Sequence, residues 1–231
     1  MVSVAFFFVA CSGPYVPELP PGDAPPITNE PPECNSLPFR KENTRFIAHR
    51  GLSSKHPDNS IEGFRAAGES DFFWGIETDI WWIGGEFYLA HDFPLRTVGL
   101  PRLQEFLAIA REFNKVAVID IKPRLTLQAA TRLTEITQEY DVMFITNIRA
   151  NLQLLVQLGT SAQMQMLYPL PIGITYQFDL SFFHPWLTPE QIASARTHGR
   201  EIGVWTISDR ATAQRFVDMG VDYITTAHVF E

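Results

Sequence analysis

Glu77 and Asp79 stand two apart in the run FFWGIETDIWWI, and Asp120 and Lys122 stand two apart in VAVIDIK. His49-Arg50 and His91-Asp92 are adjacent pairs at the ends of other apolar runs. In an extended strand, residues two apart project from one face, so each spaced pair presents both side chains to the same side. A Glu-x-Asp pair on an ordinary strand faces water. Here the pair interrupts an almost wholly apolar stretch, and Asp120 interrupts VAVIDI in the same manner. Carboxylates on a strand buried on both faces need a cation. Three of them on adjacent strand ends make an oxygen-rich site suited to one hard divalent ion, Mg²⁺ or Ca²⁺. Two histidines, an arginine and a lysine around that ion supply proton transfer and anion binding. The set fits metal-assisted cleavage of a phosphodiester.

Strands must deliver these residues to one place. From Arg45 onward, apolar β-rich runs appear at RFIAH, GIETDIWW, VAVIDIK, VMFITN, AQMQMLY, GITYQF, IGVWTIS and DYITTA. Helical patterns alternate with them, several opening on a capping residue (Asn59, Thr188, Asp209) and several closing on glycine (Gly159, Gly199, Gly220). Eight strands interleaved with helices imply parallel pairing and an α/β fold, a (β/α)8 TIM barrel, with a doubly wound open sheet as the competitor. Both folds gather functional residues at the C-terminal ends of strands, which is where His49, Arg50, Asp120, Lys122 and Trp205 fall. EFYLAHD returns as a short strand through Gly84-Gly85 and carries His91 inward. Only the connection YPLPIGI, between the fifth and sixth strands, is too short for a helix.

The 231 residues are 45% apolar, enough for one well-buried domain, assigned to residues 41–231. A formal net charge of -8 argues against a nucleic-acid partner. Residues 1–11 read as a signal segment: Val2 to Ala10 is apolar and too short to span a bilayer. Phe8-Val9-Ala10-Cys11 resembles a bacterial lipoprotein cleavage box, although no Lys or Arg precedes Arg40. Residues 12–40 read as a linker: nine of the 17 prolines lie between Pro14 and Pro38, an extended tether. These features predict a location in the cell envelope, with the protein either held at a membrane surface by a lipid anchor or exported. If the segment is no signal, the location is cytoplasmic. The second cysteine, Cys34, also precedes the domain, which excludes a disulfide scaffold or cysteine-based zinc site within it.

Taken in order, HRG at His49–Gly51, HPDNSIEGFRAA, IETDI, the His91-Asp92 pair, DIK at Asp120–Lys122, VWTIS and GVDYITT resemble the glycerophosphodiester phosphodiesterase family, from about Phe46 to Thr226. The resemblance implies a (β/α)8 barrel. It implies that Glu77, Asp79 and Asp120 hold the metal and that His49 and His91 share acid and base work. Arg50 and Lys122 would contact the phosphate, and Trp205 would line the substrate side. Asn59 matches a turn asparagine of the family and also makes a sound helix N-cap. Asp120 stands where the family usually has Glu, as in the related sphingomyelinase D-like phospholipases. The small insertion subdomain that usually follows the His-Asp pair is missing, leaving Phe93-Pro94-Leu95 and a few more residues. The implied substrate is a small-molecule phosphodiester or a lysolipid. The competing functions are a phospholipase D-type enzyme on lysophospholipids or sphingolipids, and a non-catalytic binding protein on the same barrel. Lys55, His56 and Asp58 read as turn and solvent residues, and His184, His198 and His228 have no motif support. Phe182, Phe183 and Trp186 are expected in the loop after the sixth strand, where they would make the rim of the site apolar.

Overall fold

A computed structural model describes residues 39–230. The signal segment, nearly all of the proline-rich linker and both cysteines lie outside the described residues.

Nine strands are present among the described residues: β1 (Arg45–Ala48), β2 (Gly75–Ile83), β3 (Glu86–Leu89), β4 (Val116–Ile121), β5 (Val142–Thr146), β6 (Gln163–Tyr168), β7 (Asp179–Phe183), β8 (Ile202–Ile207) and β9 (Tyr223–Thr226). All but β3 are parallel, and β1 pairs with both β9 and β2, so eight strands close on themselves. The closure excludes the open sheet. Among the described residues, six α-helices cover the outside: α1 (Ile61–Gly68), α2 (Leu103–Glu112), α3 (Leu127–Thr137), α4 (Arg149–Gln157), α5 (Pro189–Thr197) and α6 (Arg210–Asp218). No helix joins β6 to β7, as the short connection predicts. β3 pairs antiparallel with β2 across Gly84 and Gly85, both at positive φ (59° and 92°), as a tight two-residue hairpin requires.

The strands are apolar on both faces because each face is covered. Every residue of β4 (VAVIDI) is buried. Outward strand side chains such as Phe46 and Phe144, with Phe216 from α6, fill the layer between barrel and helices. Inward ones, including Ile47, Val116, Val118, Met143, Ile145 and Tyr223, fill the barrel itself. At the N-terminal end a polar plug closes the interior. There the Gln163 amide donates to Glu201 (2.7 Å) and to the Tyr223 hydroxyl (2.5 Å), and Arg45 pairs with Glu201. The opposite end stays open.

Three expectations need correction. The sixth barrel strand is Asp179–Phe183, not GITYQF; residues 173–178 form a loop tied down by bonds from the Thr175 N–H to the Tyr168 hydroxyl (3.0 Å) and from Arg200 Nε to the Tyr176 carbonyl (2.8 Å). The hidden strand alternates polar and apolar because Asp179 and Ser181 point inward while Leu180 and Phe182 face the helix layer. Phe182 is therefore core, stacked on Tyr168 at 5.1 Å, and only Phe183 and Trp186 reach the surface. Finally, Ser60 caps α1, its hydroxyl accepting from the Gly63 N–H (3.1 Å). Asn59, at φ 55°, is turned away from the helix toward β2.

Candidate active site

All eight residues singled out from the sequence line one cavity of about 230 Å³ at the C-terminal ends of the strands: His49, Arg50, Glu77, Asp79, His91, Asp120, Lys122 and Trp205. The fold explains each arrival. His49 and Arg50 follow β1, and the His49 N–H donates to the Thr226 carbonyl of β9 (2.8 Å). Arg50 (φ 54°) and Gly51 (φ 80°) turn the chain sharply. A side-chain carbon at Gly51 would stand 2.7 Å from the Gly63 carbonyl carbon, so only glycine lets this loop lie against α1. Asp79 and Asp120 are register partners on β2 and β4, which sets the two carboxylates side by side. The Ala90 N–H donates to the Asp79 carbonyl (3.2 Å), so β3 brings His91 back to the same level.

Glu77, Asp79 and Asp120 are 2%, 1% and 7% exposed, and each offers an oxygen within 4.8 Å of the others. Their neighbours are mostly donors. Lys122 Nζ bridges Asp79 Oδ1 (2.7 Å) and Asp120 Oδ2 (2.6 Å). Arg50 gives its backbone N–H to Glu77 Oε2 (2.7 Å), and its Nε lies 3.3 Å from Asp79 Oδ2, an ion pair without hydrogen-bond alignment. Asp58 fixes the far side of that guanidinium at 2.6 Å, so it is more than a solvent residue. Asn59 holds the centre: its amide donates to Asp79 Oδ2 (2.9 Å), while its carbonyl oxygen accepts from the Asp79 N–H (3.1 Å) and the Thr78 hydroxyl (2.8 Å).

The charges do not balance. Three buried carboxylates face Lys122 and an Arg50 shared with Asp58. Burial, then repulsion from Asp79 and Asp120, pushes the Glu77 carboxyl well above the usual range. Burial, joined by Asp79 and opposed by Lys122, lifts Asp120 to about 6. Burial works against the Lys122 ammonium, but Asp120 and Asp79 outweigh it and raise its pKa. The cluster is short of positive charge, and its donors are hard oxygens at mutual distances that one small cation can span. The residues fit a divalent ion.

The histidines differ. Burial, reinforced by the Arg50 charge, lowers His49 to about 4, so its imidazole is neutral near pH 7. His91 is 44% exposed, and its Nδ1 lies 2.9 Å from Asp92 Oδ1. His56, His184, His198 and His228 stay outside the cavity lining.

Asn147, Gln165, Ser181, Thr206 and Thr225 also line the cavity and were not singled out from the sequence. A signal existed: Gln163-x-Gln165 repeats the two-residue spacing of Glu77-x-Asp79 in a strand whose alternate residues are apolar. In a strand covered on both faces, the polar set must point into the barrel.

No family model matches the chain, and no curated protein matches its sequence. Solved structures do match. A phosphodiesterase from Oleispira antarctica, in complex with the product sn-glycerol-3-phosphate, is 17% identical with a TM-score of 0.71, the match covering 80% of this chain and 93% of that one. A glycerophosphodiester phosphodiesterase from Parabacteroides distasonis is 21% identical with a TM-score of 0.70, covering 81% and 94%. One from Thermotoga maritima is 20% identical with a TM-score of 0.62, covering 80% and 94%. At these identities the likeness establishes the fold, a (β/α)8 barrel matched over nearly the full length of each neighbour.

Proposed function

We propose that the protein is a metal-dependent phosphodiesterase of the glycerophosphodiester phosphodiesterase family, releasing an alcohol and glycerol phosphate. One observation carries this: two histidines, an arginine, a lysine and three charge-deficient carboxylates share one small cavity at the open end of the barrel. The similar barrels are described as phosphodiesterases, one of them bound to a glycerol phosphate product.

Glu77, Asp79 and Asp120 would hold the ion, Mg²⁺ or Ca²⁺, which when bound neutralises charge on the phosphate. Arg50 and Lys122 sit beside the carboxylates and would hold phosphate oxygens. His49 suits the base: it is neutral and buried, so it can take a proton from the nucleophile, water or a hydroxyl of the substrate itself. As the new O–P bond forms and the ester O–P bond breaks, His91 protonates the leaving alcohol oxygen. Its exposure at the mouth suits release of that alcohol and re-protonation from solvent.

A second substrate class has its own support. Of the exposed large apolar residues among those described, Leu127 and Val156 lie on helices, while Phe93, Leu95, Val98, Leu170 and Ile172 lie on the segments that follow β3 and β6, Phe183 ends β7 and Trp186 follows it. A mono-acylated diester could rest its chain there. A membrane location through lipid on Cys11 would bring such substrates within reach. Cys11→Ser should then shift the protein to the soluble fraction; unmodified, soluble wild-type protein would defeat the anchor. The activity is tested by assaying a panel of glycerophosphodiesters and lysophospholipids with Mg²⁺, with Ca²⁺ and with chelator. Turnover only with metal is expected, and turnover in excess chelator removes the ion from the mechanism.

A further inference from the structure

The cavity wall is divided by charge type. The ionic groups come from β1, from β2 with its β3 return, and from β4. The five strands that follow contribute Asn147, Gln165, Ser181, Trp205, Thr206 and Thr225, all neutral. Two donors in this half have no partner: the Gln165 side-chain amide, on a residue 2% exposed, and the Trp205 indole N–H. Inward neighbours show what the barrel does elsewhere. Gln163, two residues before Gln165, gives its amide to Glu201 and Tyr223, and Ile145, the register partner of Gln165 on β5, is apolar. Packing alone would be served by Leu or Met at 165. A buried donor with no acceptor destabilises the free protein, so it points to an acceptor that arrives with a ligand.

The ligand part that belongs there follows from the lining. Neutral donors and hydroxyls with no cation or carboxylate among them match an uncharged, hydroxyl-bearing group. The cavity is smaller than the roughly 300–1,000 Å³ of drug-sized pockets, so that group is small. We propose that Gln165 is a specificity residue whose amide N–H bonds a hydroxyl oxygen of the polyol part of the diester, making this half of the cavity a polyol subsite. The proposal rests on the phosphodiesterase reading for the position of the phosphate, and on Gln165 alone for the selectivity.

Calorimetric titration of the Mg²⁺-loaded protein with sn-glycerol 3-phosphate and with propyl phosphate tests it. Wild type should bind glycerol phosphate about tenfold or more tightly than propyl phosphate, the worth of about one well-made hydrogen bond. Gln165→Met should lose most of that preference while binding propyl phosphate within about twofold of wild type. Its melting temperature without ligand should equal or exceed that of wild type, because an unpartnered donor has gone; a purely structural glutamine would give a lower one. Gln165→Leu removes the donor without adding charge, and should show the same selective loss if the methionine variant packs poorly. The proposal is overturned if wild type shows no preference, or if the variants weaken both ligands equally. Failure of the phosphodiesterase reading looks different: wild type would turn over no diester, whatever its ligand preference.

Discussion

Asn59 and Ser60 are neighbours with separable duties, which makes them a clean test at the scale of single residues. Ser60 caps α1, and Ser60→Ala should lower stability by about 1 kcal/mol while leaving kcat/KM within a few fold. Asn59 makes three bonds to Thr78 and Asp79, and Asn59→Ala would leave buried groups of β2 short of partners. That loss is worth about 1–3 kcal/mol, and it should appear as weaker metal binding together with lower kcat/KM. Equal effects of the two substitutions, measured by denaturant melts and metal titration, would mean that Asn59 only shapes the turn. For the histidines, His49→Ala and His91→Ala should each reduce kcat by about 10²- to 10⁴-fold with the fold intact. His91→Ala should be partly rescued by a substrate with a good leaving group, because such a group needs no proton. His49→Ala should not be. Rescue of both, or of neither, would undo the assignment of base and acid.

At the scale of elements, β2 and β4 place three carboxylates where solvent cannot stabilise their charge, and this would make the proposed metal binding depend on pH. Asp120 titrates at about 6 in the folded protein without metal, against about 3.9 when unfolded. Between those values the folded state holds a proton that the unfolded state has released, so stability from this group falls as pH rises toward 6. Above 6 the full repulsion is present, and a cation relieves the most. The rise in Tm on adding Mg²⁺ or Ca²⁺ should therefore be several degrees larger at pH 7.5 than at pH 5, at about 2–4 °C per kcal/mol for a domain of this size. Asp79→Asn should shrink the rise at pH 7.5. Equal rises at both pH values in wild type would show that the carboxylates do not hold the ion. The same elements show what was legible beforehand. Glu77, Asp79 and Asp120 could be found because charge inside an apolar run is costly and therefore conspicuous. β7 was misplaced because its inward face is polar and its outward face apolar over only five residues, a pattern that GITYQF imitates just upstream. Gln165 escaped notice because a neutral amide in a strand raises no such alarm. Asp58 was passed over because the turn that carries it to Arg50 exists only once the loop has folded.

At the scale of the whole molecule, the barrel closes one end with the Gln163–Glu201–Tyr223 plug and leaves the other end low-walled. The segment between β3 and α2 contains no helix, and the one between β6 and β7 is a loop. In the eight-strand ring β2 and β6 are separated by β4 and β5, so Phe93, Leu95 and Val98, which follow β3, and Leu170 and Ile172, which follow β6, flank the mouth at two separate places. Phe183, packed against Trp205 at 5.5 Å, continues this apolar surface to the cavity wall itself. The cavity has room for a small polar group, and an acyl chain attached to it must leave through the mouth and meet these side chains. Each CH₂ covered there contributes up to about 0.8 kcal/mol, which offsets the loss of one substrate hydroxyl to the ester. Discrimination between glycerophosphocholine and its mono-acylated counterpart should accordingly be weak, below about 100-fold in kcat/KM, or about 2.7 kcal/mol. Leu95→Ser/Ile172→Ser should lower kcat/KM for the acylated substrate only, since neither residue lines the cavity. Both substrates are to be compared under one condition, below micelle formation. A preference above 100-fold for the deacylated diester would mean that the mouth rejects a chain in spite of its apolar walls, and the open end of the barrel would then serve only to admit water-soluble diesters.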